Sequence, residues 1–235
     1  MDQSKTLQDK KHILTVEELS RQMLEKRTTI PVFRWRLKES SAINLLTAAY
    51  MAEVKLRNRQ FVDTAEVRKN IGDVARALVS LGHPKFGIVM CGQCGNGKST
   101  MLAAMQTATN YLSENGYFTE HYQGFGDYKQ DVFFHKIDTV ALTTLKEDAF
   151  KKFSMYNIVG LEDLGAEPKE VLSYGNVLTP VKTLLEYRYA MGLTTFITTN
   201  LAPTQIEPTY GKRIADRFRE MMFSIPFDNP SFRLL

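Results

Sequence analysis

The chain has 235 residues, of which 43% are hydrophobic and 24% charged, and it carries a formal net charge of +4. That length predicts one sizeable domain with an appendage or two small domains, and the composition is ordinary for a globular protein, with no internal repeat or low-complexity tract. No run approaches the roughly 18 consecutive apolar residues of a membrane-spanning helix, and the first residues are too polar for a secretory signal, so the expectation is a cytoplasmic protein without a membrane partner.

Three helical patterns fill the first third. Thr15 and Glu18 form a capping box ahead of Val16, Leu19 and Met23, an apolar stripe at helical spacing that Pro31 should stop. A second pattern, over residues 41–57, places Ile43, Leu46, Tyr50 and Val54 on one face. A third starts near Thr64, aligns Val67, Ile71, Val74 and Leu78, and ends at Gly82. Between the first two, Arg34, Trp35 and Arg36 read as an exposed linker with a half-buried tryptophan, favoured over a nucleic-acid or partner contact.

After Pro84 the pattern changes. Residues 86–91 read as a buried strand and 99–114 as a helix ended by Asn115 and Gly116. Strands are expected at 118–122, within 132–142, at 158–161 and at 195–199, with helices at 146–153 and 181–189. Such alternation predicts an α/β fold with a mostly parallel sheet and helices on both faces. The change of pattern puts a boundary near residues 58–62, giving a helical region at 1–60 and an α/β domain at 61–235. The four histidines, His12, His83, His121 and His135, lack metal-ligand spacing, so no zinc site is expected.

Residues 92–99, Gly-Gln-Cys-Gly-Asn-Gly-Lys-Ser, match the Walker A pattern in full, after an apolar strand and at the start of a helix. The glycines let the backbone curl so that successive N–H groups face phosphate oxygens. Lys98 supplies a positive charge for the β- and γ-phosphates, Ser99 offers a hydroxyl to magnesium, and the helix aims its positive end at the anion. The expected nucleotide-binding set is Gly92, Gln93, Cys94, Gly95, Asn96, Gly97, Lys98, Ser99 and Thr100, with ATP and Mg2+ as ligands. Cys91 and Cys94 have the spacing of a redox pair, but their position at this loop favours the phosphate-binding reading.

Hydrolysis needs more than the loop. The apolar run at 158–161 ends in Glu162 and Asp163, and a parallel strand's carboxyl end faces the phosphate crevice. Asp163 is the candidate for polarising the attacking water, and Glu162 for holding magnesium through its water shell. Asn200 ends the next strand pattern, where its amide can position the water. The arginines of residues 210–219 read as a solvated helix face or as a guanidinium that meets the γ-phosphate of a neighbouring subunit.

Five segments, GQCGNGKST (92–100), IVGLEDLG (158–165), TTFITTN (194–200), YGKRIADRF (210–218) and FDNPSFR (227–233), resemble in order and spacing an AAA+ ATPase of the DnaC/IstB group, the bacterial helicase loaders and transposition helper ATPases. The resemblance spans roughly residues 60–235. It implies an AAA+ P-loop fold with a truncated lid, Walker A roles for Lys98 and Ser99, and Walker B roles for Glu162 and Asp163, both toward magnesium. It further implies a sensor role for Asn200, an arginine finger at Arg217 and a second sensor-like arginine at Arg233 near the nucleotide. The group usually has aspartate where Glu162 stands, which implies slow hydrolysis and a switch that signals through ATP binding.

By the same resemblance the chain assembles into a homo-oligomer on ATP, contacts single-stranded DNA and delivers a replicative helicase bound through its N-terminal helices. The aromatic segment 117–128 beside Lys129 is a candidate for stacking bases, against the plainer reading of a hairpin packing its aromatics. An alternative is a transposition helper that binds duplex DNA and a transposase. Two readings of another class are a small-molecule kinase, for which no arginine-bearing lid insertion is found, and a nucleotide-gated binding module without turnover.

Overall fold

Residues 15–25, 32–118, 132–173 and 176–232 are described by the computed structural model, which divides into two units, residues 1–30 and 31–235. The first unit contains α1 (Val16–Glu25). Thr15 N–H donates to the Glu18 carboxylate at 2.8 Å and Glu18 N–H donates to the Thr15 hydroxyl at 3.2 Å, which is the reciprocal capping expected of this pair. Val16, Leu19 and Met23 are all exposed. The expected stop at Pro31 lies outside the described residues.

The second unit is built on a five-stranded sheet of β1 (Gly87–Gly92), β2 (Phe134–Asp138), β3 (Ile158–Leu164), β6 (Thr194–Thr199) and β7 (Met222–Phe227), in the order β2-β3-β6-β1-β7. Every pairing in it is parallel. Two short strands, β4 (Val171–Ser173) and β5 (Asn176–Leu178), form a separate antiparallel pair. The central strands are buried along nearly their whole length, as a sheet covered on both faces requires.

Alternate residues of those strands feed two cores. Ile88, Met90, Ile158 and Phe196 pack with residues of α2 (Glu39–Leu56), α3 (Ala65–Val79) and α4 (Lys98–Glu114). Val89, Val159, Leu161 and Ile197 pack with residues of α5 (Thr139–Leu142), α6 (Glu147–Met155), α7 (Pro180–Ala190), α8 (Ile206–Tyr210) and α9 (Lys212–Met221). Among the described residues α9 runs directly into β7, with no helical lid after it. No described helix is long and apolar enough to cross a membrane.

Two expectations need correcting. The sheet unit begins at Pro31 and not near 58–62, because Leu46, Ala49 and Tyr50 of α2 lie in the same core as α4 and the sheet. Arg34 and Trp35 are not an exposed linker: Trp35 is fully buried and its indole N–H donates to Thr109 Oγ1 at 3.2 Å. Arg34 is buried too, donating to the carbonyls of Phe33, Ser80, His83 and Lys85, so it ties this segment to the turn before β1. Of the strand expected at 118–122 only Phe118 is described; it lies in a turn and packs edge-on against Phe33 at 5.5 Å between ring centroids. Residues 119–131, including most of the aromatic segment and Lys129, lie outside the described residues.

Candidate nucleotide-binding site

The strand order explains how residues far apart in sequence meet. β6 lies between β1 and β3, so the carboxyl ends of these three parallel strands bring Lys98, Asn200 and Asp163 to one edge of the sheet. Lys98 is buried at the start of α4. Its ammonium has three donors, which it directs at Gly92 O (2.7 Å), Gln93 O (2.7 Å), Asn96 Oδ1 (3.1 Å) and Asn200 Oδ1 (3.0 Å). These neutral oxygens hold the charge in place without neutralising it, which is what an anion-binding loop needs.

Gly97 caps α4 in the left-handed region, at φ 95°, and a Cβ there would run into the Tyr50 hydroxyl. Gly92 has φ 150°, and a Cβ there would meet the backbone of Phe227. Both positions therefore demand glycine on conformational and steric grounds.

Asp163 reaches the site through a local irregularity. Leu161 pairs with Ile197 and Leu164 with Thr199, so β3 carries one residue more than β6 over this stretch. The bulge puts Asp163 in the left-handed region, at φ 57°, which aspartate tolerates better than most residues. It is pinned there: its N–H donates to Thr198 Oγ1 at 3.0 Å, and its carbonyl accepts from Thr139 Oγ1 at 3.0 Å. Glu162, one residue earlier, turns away and forms an ion pair with Lys136 of β2 at 3.2 Å.

Loop residues 94–100, Asp163 and Asn200 line one cavity of about 610 Å³. Tyr50 and Val54 of α2, Val62, Val67 of α3, Phe232, Arg57 and Arg59 complete the lining, with Tyr50 and Phe232 close against Gly97 of the loop. Burial pushes the Tyr50 hydroxyl up to about 12, so it is a neutral phenol at physiological pH. The cavity lining thus combines the polar and cationic groups of the loop with aromatic and aliphatic side chains, the mixture that the phosphates and base of a nucleotide call for. Gly92 and Gln93 contribute carbonyls to Lys98 and do not line the cavity itself. For magnesium, the Ser99 hydroxyl and the Asp163 carboxylate on one cavity are a suitable oxygen donor set. Glu162 is not among the lining residues.

The remaining predicted residues fall elsewhere. Arg217 lies on α9, outside the cavity lining. Its guanidinium sits over the Tyr189 ring, 4.7 Å from the centroid, and its Nη1 lies 3.7 Å from Glu186 of α7, beyond hydrogen-bond reach. Arg233 lies outside the described residues. The structure also adds residues that the sequence reading missed: Tyr50, Asn70 and Asn229. Tyr50 reads locally only as a helix-face residue and Asn229 only as part of FDNPSFR, and nothing local gives any of the three a place at the site, because their partners are 47, 159 and 133 residues away.

No family model and no curated protein matches the chain. Solved structures do. DnaI matches at 21% identity and a TM-score of 0.50, covering 73% of this chain and 86% of that one. The DnaC helicase loader matches at 18% identity and a TM-score of 0.48, covering 71% and 92%. AMPPCP-bound DnaA from Aquifex aeolicus matches at 15% identity and a TM-score of 0.46, over 74% of this chain and 50% of that one. The DnaI likeness, together with the parallel sheet and the phosphate loop that follows β1, gives the chain the fold of an AAA+ P-loop domain.

Proposed function

We propose that this chain is an ATP-binding, magnesium-dependent ATPase of the DnaC loader type, which assembles with copies of itself on ATP and delivers a replicative helicase to single-stranded DNA in the cytoplasm. The observation that carries the ATPase reading is the convergence of Lys98, Ser99, Asp163 and Asn200 on one cavity that aromatic and aliphatic side chains also line. In this reading Lys98 and the loop N–H groups hold the phosphates. Ser99 and Asp163 hold magnesium, which when bound neutralises phosphate charge. Asp163 and Asn200 orient the attacking water, and Glu162 supports the strand end through Lys136 instead of reaching the metal directly.

Arg217 acts in trans on the nucleotide of an adjacent copy, which agrees with its place outside its own cavity. Arg233 takes the second sensor-like role toward the nucleotide. The exposed Val16, Leu19 and Met23 of α1 are the surface offered to the helicase.

Steady-state ATPase rates test this. Asp163→Ala is expected to lower kcat by about 10²-fold or more while leaving ATP binding within a few-fold, since it removes water orientation and one of the two magnesium-holding groups but leaves Lys98 and the loop N–H contacts to the phosphates. Arg217→Ala is expected to lower kcat about 10³-fold at protein concentrations where the parent assembles. Equal and negligible rates for parent and both variants would reduce the protein to a nucleotide-gated binder. A co-purifying helicase supports the loader reading, whereas a transposase would replace it with the helper reading.

A further inference from the structure

A phosphate cradle directs N–H groups inward, so its carbonyls must find partners on the other side. In this chain the segment 228–232, which follows β7, supplies them for Gly95 and Asn96, while the carbonyls of Gly92 and Gln93 accept from Lys98. Asn229 Nδ2 donates to Asn96 O at 3.0 Å, and Phe232 N–H donates to Gly95 O at 2.9 Å. In return, Asn96 Nδ2 donates to Phe227 O. Asn229 is itself held from behind, its Oδ1 accepting from Asn70 Nδ2 of α3 at 3.0 Å. Asn70, Asn96 and Asn229 are 5%, 1% and 5% exposed, so these bonds are made away from water and losing one leaves an unpaired buried group. Asn96 also accepts from Lys98 through Oδ1, which extends the chain of contacts from α3 to the ammonium that faces the cavity.

We propose that residues 227–232 form a strap over the phosphate loop, that Asn229 is the positioning residue through which the strap sets the loop and Lys98, and that strap docking and nucleotide binding are therefore coupled. The proposal rests on the nucleotide-site reading above. Asn229 touches neither the cavity nor the expected phosphates; it acts through Asn96. The strap also carries Phe232 into the cavity lining beside the loop, so its undocking would open the cavity and loosen the loop together.

The test compares full-length parent, Asn229→Ala, Asn70→Ala and Leu184→Ala, measuring Kd for Mg-ATP by calorimetry at a temperature well below every Tm. Leu184 is fully buried in the core on the other side of the sheet and controls for stability alone. Asn229→Ala is expected to raise Kd about tenfold, the equivalent of one buried hydrogen bond to the loop, and Asn70→Ala about threefold, because it removes only the outer arm. Leu184→Ala is expected to lower Tm with Kd unchanged. Should Asn229→Ala not fold, Asn70→Ala carries the test, and an unchanged Kd there overturns the coupling. A Kd within twofold of the parent for Asn229→Ala also overturns it. A parent that does not bind Mg-ATP removes the nucleotide reading itself, a result distinct from failure of the strap.

Discussion

Lys98→Ala is expected to weaken Mg-ATP binding at least about 100-fold, which at ordinary nucleotide concentrations abolishes ATPase activity as well. The size follows from what is lost: a buried ammonium able to make charge-assisted bonds of about 1.5–3 kcal/mol each to phosphate oxygens. It follows also from what is left behind. The carbonyls of Gly92 and Gln93 and the amide oxygens of Asn96 and Asn200 lose their shared donor, so the empty loop itself relaxes. Calorimetric titration with Mg-ATP measures the effect directly. Binding within tenfold of the parent would mean that the nucleotide phosphates do not lie at this loop.

The largest expected loss of stability comes from Arg188, a residue with no part in the chemistry. It sits on α7, fully buried, and burial holds its pKa below the ordinary arginine value. Its guanidinium donates to Thr195 Oγ1 at 2.8 Å, to Ser154 O at 3.0 Å, to Tyr156 O at 2.7 Å, to Asn157 O at 3.3 Å and to Thr194 O at 2.5 Å. One side chain thus ties α7 to the turn before β3 and to the start of β6. Arg188→Met keeps much of the stem packing but strands four backbone carbonyls, so a loss of about 3–5 kcal/mol is expected, read as a lower urea midpoint at unchanged slope. A loss under about 1 kcal/mol would show that water reaches these carbonyls and that the network is not a structural tie.

How much of this could be read from the sequence depends on range. The phosphate loop was legible because its glycines, Lys98 and Ser99 are contiguous and their backbone demands are local. Asp163 and Asn200 were legible because each ends an apolar run, and parallel topology then brings strand ends together. The bulge that separates the fates of Glu162 and Asp163 was not legible, since two adjacent acids look equivalent until the register with β6 is known. β7 escaped for a related reason. Its run contains Pro226, which argues against an interior strand but is tolerated at the sheet edge it occupies. Trp35 was misjudged because its flanking arginines look solvated, whereas Arg34 folds back onto carbonyls some 50 residues away. Asn70 and Arg188 carry no local signal at all, and Asn229 stood out only as part of the FDNPSFR segment; their importance is the sum of distant partners.

The central claim is that ATP at Lys98 drives assembly, with Arg217 of one copy completing the site of the next. Sedimentation velocity of the full chain without nucleotide, with Mg-ADP and with Mg-AMPPCP tests it most directly. The account predicts a shift to larger species with Mg-AMPPCP alone, lost in Lys98→Ala and reduced in Arg217→Ala. A sedimentation coefficient that is the same in all three conditions would contradict it.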